Sequence, residues 1–388
     1  MKILLNLIAA KQGGQVTRAN EFINKFQSTA SKGDLLIVFL SNFNPLKIKS
    51  NKYIQVIKVH FPFNLKNWLV RIIWENTEQL YWVRTLRPDI YLTFSHALPF
   101  TNLEIPTVVA VSNLAPFSKH AFIRETFLGK IRLLLLKYFI IFFTNKATSV
   151  IALSELGRKN LIDNGVFPSK ITKIMIGVKK QEHQDKVKKN KIYKINEKYI
   201  LYVSHFYKYK NFEQLILAYS NLPKSTQDIY GLKLVGNFSD KKYIEKLIQM
   251  SNNLGLSNRI DFIPGLKEKE LNLVYKQASL FVLSSVIENC PSVLLEAMAN
   301  RLPVLVTNVS PMPEFVKNAG KYFEIGDHLE LSKKINKILN SSKLLRQMSL
   351  RSYKQSKLYS WDLFAKNVVN FCRETFFTSK KNGKILKN

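Results

Sequence analysis

Cysteine, acidic residues and long apolar runs are all scarce in this 388-residue chain. Its two cysteines, Cys290 and Cys372, stand far apart among ordinary neighbours. That excludes a disulfide framework and a cysteine-based metal cluster, and it fits a reducing compartment such as the cytoplasm. Asp and Glu number 27 against 59 Lys and Arg, so the formal net charge of +32 sets up a positive field that draws an anionic partner. Zinc-finger spacing, aromatic strand motifs of the RNA-binding type and an Arg-rich tail are all missing. No nucleic-acid partner is therefore expected, and the field points to an anionic membrane surface. No apolar run reaches the roughly 20 residues of a membrane span. The stretch from Met1 to Ala10 is too short for a signal peptide and leads into Lys11-Gln-Gly-Gly14 rather than a cleavage site, so it reads as a first buried strand. Nothing repeats at the period of a solenoid.

What is present is a folded globular composition, 46% apolar and 22% charged, at a length that favours two domains. Short apolar runs alternate with amphipathic stretches: Lys2 to Ile8, Asp34 to Leu40, Ile90 to Phe94, Thr107 to Val111 and Ser149 to Leu153. A second series follows the Lys-rich stretch from Lys179 to Lys198, at Tyr199 to Val203, Leu232 to Val235, Arg259 to Ile263, Leu280 to Leu283 and Val304 to Thr307. This alternation is that of parallel sheets wrapped by helices, an α/β fold. It predicts two doubly wound domains over 1–185 and 190–358, and the basic end of the chain reads as a disordered tail over 379–388.

One segment departs from the pattern. Ile131 to Phe143 is strongly apolar yet interrupted by Lys137. With Asn67 to Trp74 and Tyr81 to Arg84 it offers the apolar, aromatic and basic residues that suit a lipid headgroup boundary. Ordinary core-facing helices are the plain alternative.

The stretch Ser284 to Val304 is the most informative. A strand ends in two serines, a polar loop carries Glu288, and a helix opening near Pro291 and Ser292 carries Glu296. The free N–H groups of a helix start attract a diphosphate, and two carboxylates at different distances from it can accept hydroxyl hydrogen bonds. Glu288 and Glu296, with seven residues between them, followed by Ala-Met-Ala and a Pro-Val strand, resemble the retaining glycosyltransferases of family 4. The resemblance implies a GT-B fold, with two Rossmann-like domains facing across a cleft and a C-terminal helix over 359–378, led by Tyr359 to Ala365, crossing back to the first. The first domain would bind the acceptor and the second the nucleotide-sugar.

By that resemblance Glu288 would bind the donor sugar's hydroxyls and Glu296 the ribose. Asn289, Cys290, Pro291, Ser292 and Val293 would line the diphosphate. Tyr202 to Phe212 resembles the family's strand-loop-helix segment at the donor phosphates, with Ser204 and Lys210 in place. Lys210 would offset charge on the leaving diphosphate. His205 stands where the family has Arg, and Lys208 is the substitute at hand. Gly236, Ile263 and Leu266 mark two further loops of the donor site. Gly13 and Gly14 resemble the loop of the first domain that faces the diphosphate, although they form no dinucleotide fingerprint. Ser112 and Asn113, with His96, fall where the acceptor would bind, and His96 is the candidate titratable group there. Arg301 occupies the family's helix-ending glycine position at a cost of about 1 kcal/mol unless Asn300 takes the cap. Trp361 is expected at the hinge.

The resulting expectation is a hexosyltransferase with Glu288, Lys210 and His96 as catalytic residues. It would move sugar from a nucleoside-diphosphate sugar, such as a UDP-sugar, to a glycan or lipid-linked acceptor in lipopolysaccharide, capsule or O-antigen synthesis. It would be cytoplasmic and peripheral on the inner face of the plasma membrane. No cofactor or metal is expected, because no Asp-x-Asp loop is present and Lys210 with a helix start can neutralise the diphosphate. The rivals are a nucleotide-sugar 2-epimerase of the same architecture and a non-enzymatic basic protein that binds nucleic acid or polysaccharide.

Overall fold

The computed structural model describes residues 1–10, 14–61, 68–179, 198–238 and 240–385. The chain divides into two compact units: residues 1–117, 132–177 and 360–388 form the first, and residues 118–131 and 178–359 the second. The second unit thus takes in a short segment, 118–131, that sequence reasoning assigned to the first domain. The passage between the units falls at Gly177 and Val178 rather than near 185–190. Gly177 is needed there, since a Cβ on it would lie 2.2 Å from the backbone nitrogen of Trp361.

The first unit holds a parallel seven-stranded sheet in the order β3-β2-β1-β4-β5-β6-β7. Its strands are β1 (Lys2–Asn6), β2 (Leu35–Ser41), β3 (Ile54–Val59), β4 (Ile90–Thr93), β5 (Thr107–Val111), β6 (Ser149–Ala152) and β7 (Ile171–Lys173). The second unit holds a parallel six-stranded sheet in the order β10-β9-β8-β11-β12-β13. Its strands are β8 (Lys198–Val203), β9 (Tyr230–Gly236), β10 (Ile260–Pro264), β11 (Leu280–Leu283), β12 (Val304–Thr307) and β13 (Lys321–Phe323). Counted within each unit, both sheets follow the order of a dinucleotide-type doubly wound fold, which reverses direction between its first and fourth strands. Ligands of such sheets bind outside the carboxyl ends of the strands at that reversal, between β1 and β4 in one unit and between β8 and β11 in the other.

The central strands are buried on both faces because helices cover the sheet on each side, and this is why β5, β11 and β12 are wholly apolar or nearly so. In the second unit, Tyr202, Phe206 and Phe212 stack with ring centroids 4.3–4.4 Å apart at the base of the β8 loop. In the first, Phe364 of the terminal helix meets Phe94 at 5.9 Å and Phe22 at 6.5 Å. Arg373 of the same helix pairs with Asp34 and reaches Ser31 Oγ at 2.9 Å. That helix runs from Trp361 to Ile385, so it continues through most of the segment expected to be a disordered tail. Lys380 lies over the Phe376 ring one turn earlier, at 4.4 Å, and this contact extends the helix beyond 378.

Candidate functional site

Two loops meet at the reversal point of the second sheet. The first leaves β8 and runs through Ser204, His205 and a single tight turn, Lys208–Lys210, into the helix Phe212–Ser220. Asn211 makes the junction in the left-handed conformation (φ 54°), and its side chain donates to Gln214 Oε1 at 2.7 Å. The second leaves β11 and runs through Ser284 and Ser285 to the helix Ser292–Ala299. Side chains fasten the two loops together. Ser284 Oγ donates to the Asn211 carbonyl at 2.8 Å, and Tyr202 OH donates to the Lys210 carbonyl at 2.6 Å and lies 3.0 Å from Ser285 Oγ. The Val286 amide donates to the Tyr209 carbonyl at 2.9 Å. Both serines are fully buried, so their role is to hold the loops rather than to meet a ligand.

This fastening brings Lys210 to Glu288 across 78 residues of sequence: Nζ donates to Oε1 at 2.6 Å, with the two side chains only 11% and 12% exposed. The ammonium also lies 5.1 Å from the centre of the Tyr209 ring. Burial, then the Glu288 charge, pushes the Tyr209 phenol well above its ordinary value. His205 is held below its ordinary value by its surroundings first and by Lys210 next, with Glu288 opposing. Lys210, Glu288 and His205 therefore share one electrostatic environment. Lys208 is exposed, two residues from Lys210.

Glu296 sits on the helix that follows, and burial raises its carboxyl to about 7. The Tyr275 hydroxyl pulls the other way, Glu268 pushes further up and Lys179 pulls down. Tyr275 also donates to the Val293 carbonyl at 3.2 Å, which ties this helix to Glu268–Gln277. A carboxyl poised near neutrality beside the start of a helix is a group whose charge a ligand can decide.

Other expected donor residues fall in mixed positions. Asn289 and Pro291 are buried, and Cys290, Ser292 and Val293 are half-buried at the helix start. Gly236 ends β9, and a Cβ there would lie 1.7 Å from the Ser204 carbonyl oxygen. Its small size therefore serves the approach of two backbones, and the Ser204 amide also donates to Val235 at 2.9 Å. Ile263 is buried in the core and Leu266 packs against it, so what they offer a ligand is backbone.

In the first unit, Gly14 opens the helix Gly14–Thr29, with open space where a Cβ would project. Gly13 lies outside the described residues. His96 follows β4, and burial, with Arg71 adding to it, lowers it to about 4. It is therefore uncharged at neutral pH, the form in which an imidazole can accept a hydrogen bond or a proton. Ser112 accepts from Arg18 Nη1 at 2.9 Å and donates to the Phe94 carbonyl at 3.3 Å, while Asn113 caps a turn to the Ala115 amide at 3.0 Å. Sequence reasoning missed a buried polar cluster beneath the β1–β4 reversal. Asn6 Nδ2 donates to Tyr91 OH at 2.8 Å, to Gln79 Oε1 at 3.1 Å and to Glu75 Oε1 at 3.3 Å, and Glu75 is raised by burial. The signal was an Asn at the end of an aliphatic strand, which needs partners when buried.

Among the described residues, no group of three or more His, Cys, Asp or Glu is placed to hold a metal ion, and no helix is long and apolar enough to cross a membrane.

Residues 182–355 match the family model described as glycosyl transferases group 1. A glycosyltransferase of Haemophilus influenzae is 32% identical over 174 residues, 44% of this chain and 48% of that one. The O-antigen chain mannosyltransferase B of Escherichia coli is 28% identical over 173 residues, 44% of this chain and 45% of that one. The chain thus spans about half the length of these curated relatives. Among solved structures, Anabaena HepE in complex with UDP and glucose superposes with a TM-score of 0.70 over 95% of this chain and 98% of that one, at 17% identity. With the two parallel sheets in their observed order, this likeness identifies the fold as GT-B.

Proposed function

We propose that this chain, whose residues 182–355 match the family model of glycosyl transferases group 1, is a retaining glycosyltransferase. It takes its donor as a nucleoside-diphosphate sugar, with UDP-sugars first among candidates, and acts in cell-surface polysaccharide synthesis. The observation that carries the reading is the Lys210–Glu288 pair at the reversal point of the second sheet, ahead of the helix that bears Glu296. It is supported by relatives described as mannosyltransferases and by a structural neighbour that holds UDP and glucose.

On this reading the donor exchanges partners with the pair. Its diphosphate takes the Lys210 ammonium and the start of the helix Ser292–Ala299, and its sugar hydroxyls donate to Glu288. Glu296 accepts from the ribose hydroxyls, and binding draws it into its charged form. As the bond to the sugar breaks, negative charge grows on the leaving phosphate, and Lys210 stabilises that charge more strongly than it does the ground state. The acceptor hydroxyl attacks from the same face, and the leaving phosphate takes its proton. No metal is required.

The acceptor is a glycan or lipid-linked saccharide at an anionic membrane surface, reached from the cytoplasmic side. The helix Phe127–Lys146 supports this: Phe127 and Leu128 are 77% exposed and Leu134, Leu135 and Tyr138 are 55%, 56% and 64% exposed, beside Arg132 and Lys137. Such a face is suited to the headgroup boundary.

The deciding experiment incubates the chain with UDP-, GDP- and ADP-sugars. It scores thermal stabilisation, then follows the product's anomeric configuration by NMR with a lipid-linked acceptor. A stabilising donor and a product of retained configuration are expected. Inversion, a trapped covalent glycosyl-enzyme, or epimerised donor formed without acceptor would overturn the reading.

A further inference from the structure

The second unit has another concave site, at the end of its sheet away from Lys210 and Glu288. A cavity of about 590 Å³ is lined by Lys198 and Tyr230, which start β8 and β9, and by Ser279 and Pro303, which immediately precede β11 and β12. All these strands are parallel, so the cavity sits at their amino ends while Lys210 and Glu288 sit beyond their carboxyl ends. The six residues of β8 alone separate the two by roughly 20 Å.

The lining is cationic. Lys276, Arg301 and Arg346 join Lys198, and among the described residues no Asp or Glu lines the cavity. Arg301 and Arg346 form no ion pair with any described carboxylate. Arg301 is also the residue that sequence comparison left unexplained. It holds the left-handed conformation (φ 62°) at the end of the helix Ser292–Ala299, with its amide donating to Met298 at 3.1 Å and the Leu302 amide to Ala297 at 3.0 Å. Asn300 stays right-handed (φ −83°), so Arg301 and not Asn300 takes the position that favours glycine. In that position its guanidinium lies 4.3 Å from the centre of the Tyr353 ring, at the cavity wall. A strained arginine where glycine would be easier is understandable if the side chain is used.

We propose that this cavity is a second binding site, independent of the donor site, for a soluble phosphate ester such as a sugar phosphate. Two planar guanidinium forks and the Lys198 ammonium around one concavity suit a dianionic phosphate. Arg301 and Lys357 lie over the Tyr353 ring at 4.3 and 4.7 Å, so that ring positions the guanidinium at the cavity, and Tyr230 lines the cavity beside Lys198. The volume is that of a small-molecule site rather than of a surface that rests on lipid. The inference does not rest on the proposed glycosyl transfer.

The test is isothermal titration of the full chain with mannose 6-phosphate, with mannose as the uncharged control. Saturable binding of the phosphate ester is expected, none of mannose, and weakening as salt rises. Arg301→Gly and Arg346→Ala should each reduce affinity tenfold or more, as loss of a charge-assisted pair implies. Saturating UDP should leave it unchanged. Glycine is at ease at φ 62°, so Arg301→Gly keeps its fold, and its thermal midpoint verifies that. Wild-type affinity in both arginine variants overturns the proposal. So does competition by UDP, which would place the ligand at the donor loops, or the absence of saturable binding.

Discussion

Glu296→Gln separates a carboxyl that a ligand controls from one that merely decorates a helix. Burial holds the folded carboxyl at about 7, against an ordinary value of 4.5. The unfolded chain therefore releases this proton first, and between the two values the folded state binds more protons. Stability from this group is thus fully present below about 4.5 and is lost as pH rises through about 7. At 1.36 kcal/mol per pH unit the loss between pH 5 and pH 8 is on the order of 2–3 kcal/mol. Gln has the same shape and no charge to lose, so the variant should match wild type at pH 5 and exceed it by on the order of 2–3 kcal/mol at pH 8. In a unit of this size that is a shift of roughly 5–10 °C in thermal midpoint. The assay is denaturant or thermal unfolding of both proteins across that pH range without ligand. Under the proposed function UDP should show the opposite trend. Its affinity for wild type should rise toward neutrality as Glu296 ionises, and the Gln variant should bind more weakly with a flat profile. A stability difference that ignores pH would refute the buried-carboxyl reasoning. A UDP profile unchanged by the substitution would remove Glu296 from the donor site.

Glu288→Gln keeps the shape of the acceptor facing Lys210 but removes its charge; turnover should fall by two orders of magnitude or more, on the scale of a lost transition-state contact, while UDP affinity changes little. Lys210→Ala strands Glu288 in a largely buried place, so both stability and UDP affinity should fall, the first by about 3 kcal/mol, measured by denaturant titration and calorimetry. Saturating chelator should leave transfer unchanged, and a loss restored by a divalent cation would end the metal-free mechanism. Co-sedimentation with phosphatidylglycerol vesicles should fall sharply in the triple variant Leu134→Ser, Leu135→Ser, Tyr138→Ser and at high salt, and binding equally well to neutral vesicles would argue against the charged-surface reading.

What the sequence revealed and what it hid follow one physical rule. Strands such as β5 and β11 are buried on both faces, so they read as unbroken apolar runs. The strands that sequence reasoning passed over, β3, β7 and β13, are half-exposed or only three residues long. Their mixed composition resembles that of loops. The Glu288–Glu296 loop and helix were legible because they are contiguous. The Tyr202, Ser284 and Ser285 fastening was not, because a hydrogen bond between two loops leaves no periodic mark on either. The end of the terminal helix was misplaced because Lys380 over Phe376 is a contact between side chains one turn apart, which basic composition alone presents as a tail.

The strand order does the work that no motif can. Lys210 and Glu288 lie 78 residues apart, and nothing in either segment names the other. Once β8 pairs with β11 the carboxyl ends of both strands open on the same crevice, and the loops that leave them have nowhere else to meet. Tyr202 then fixes the separation, because its hydroxyl reaches both loops from within β8 itself. A Tyr202→Phe substitution would keep the packing against Phe212 and remove only that tie. If the pair depends on the tie, this variant should lose turnover while keeping most of its stability. Equal loss of both would mean that Tyr202 serves the core alone.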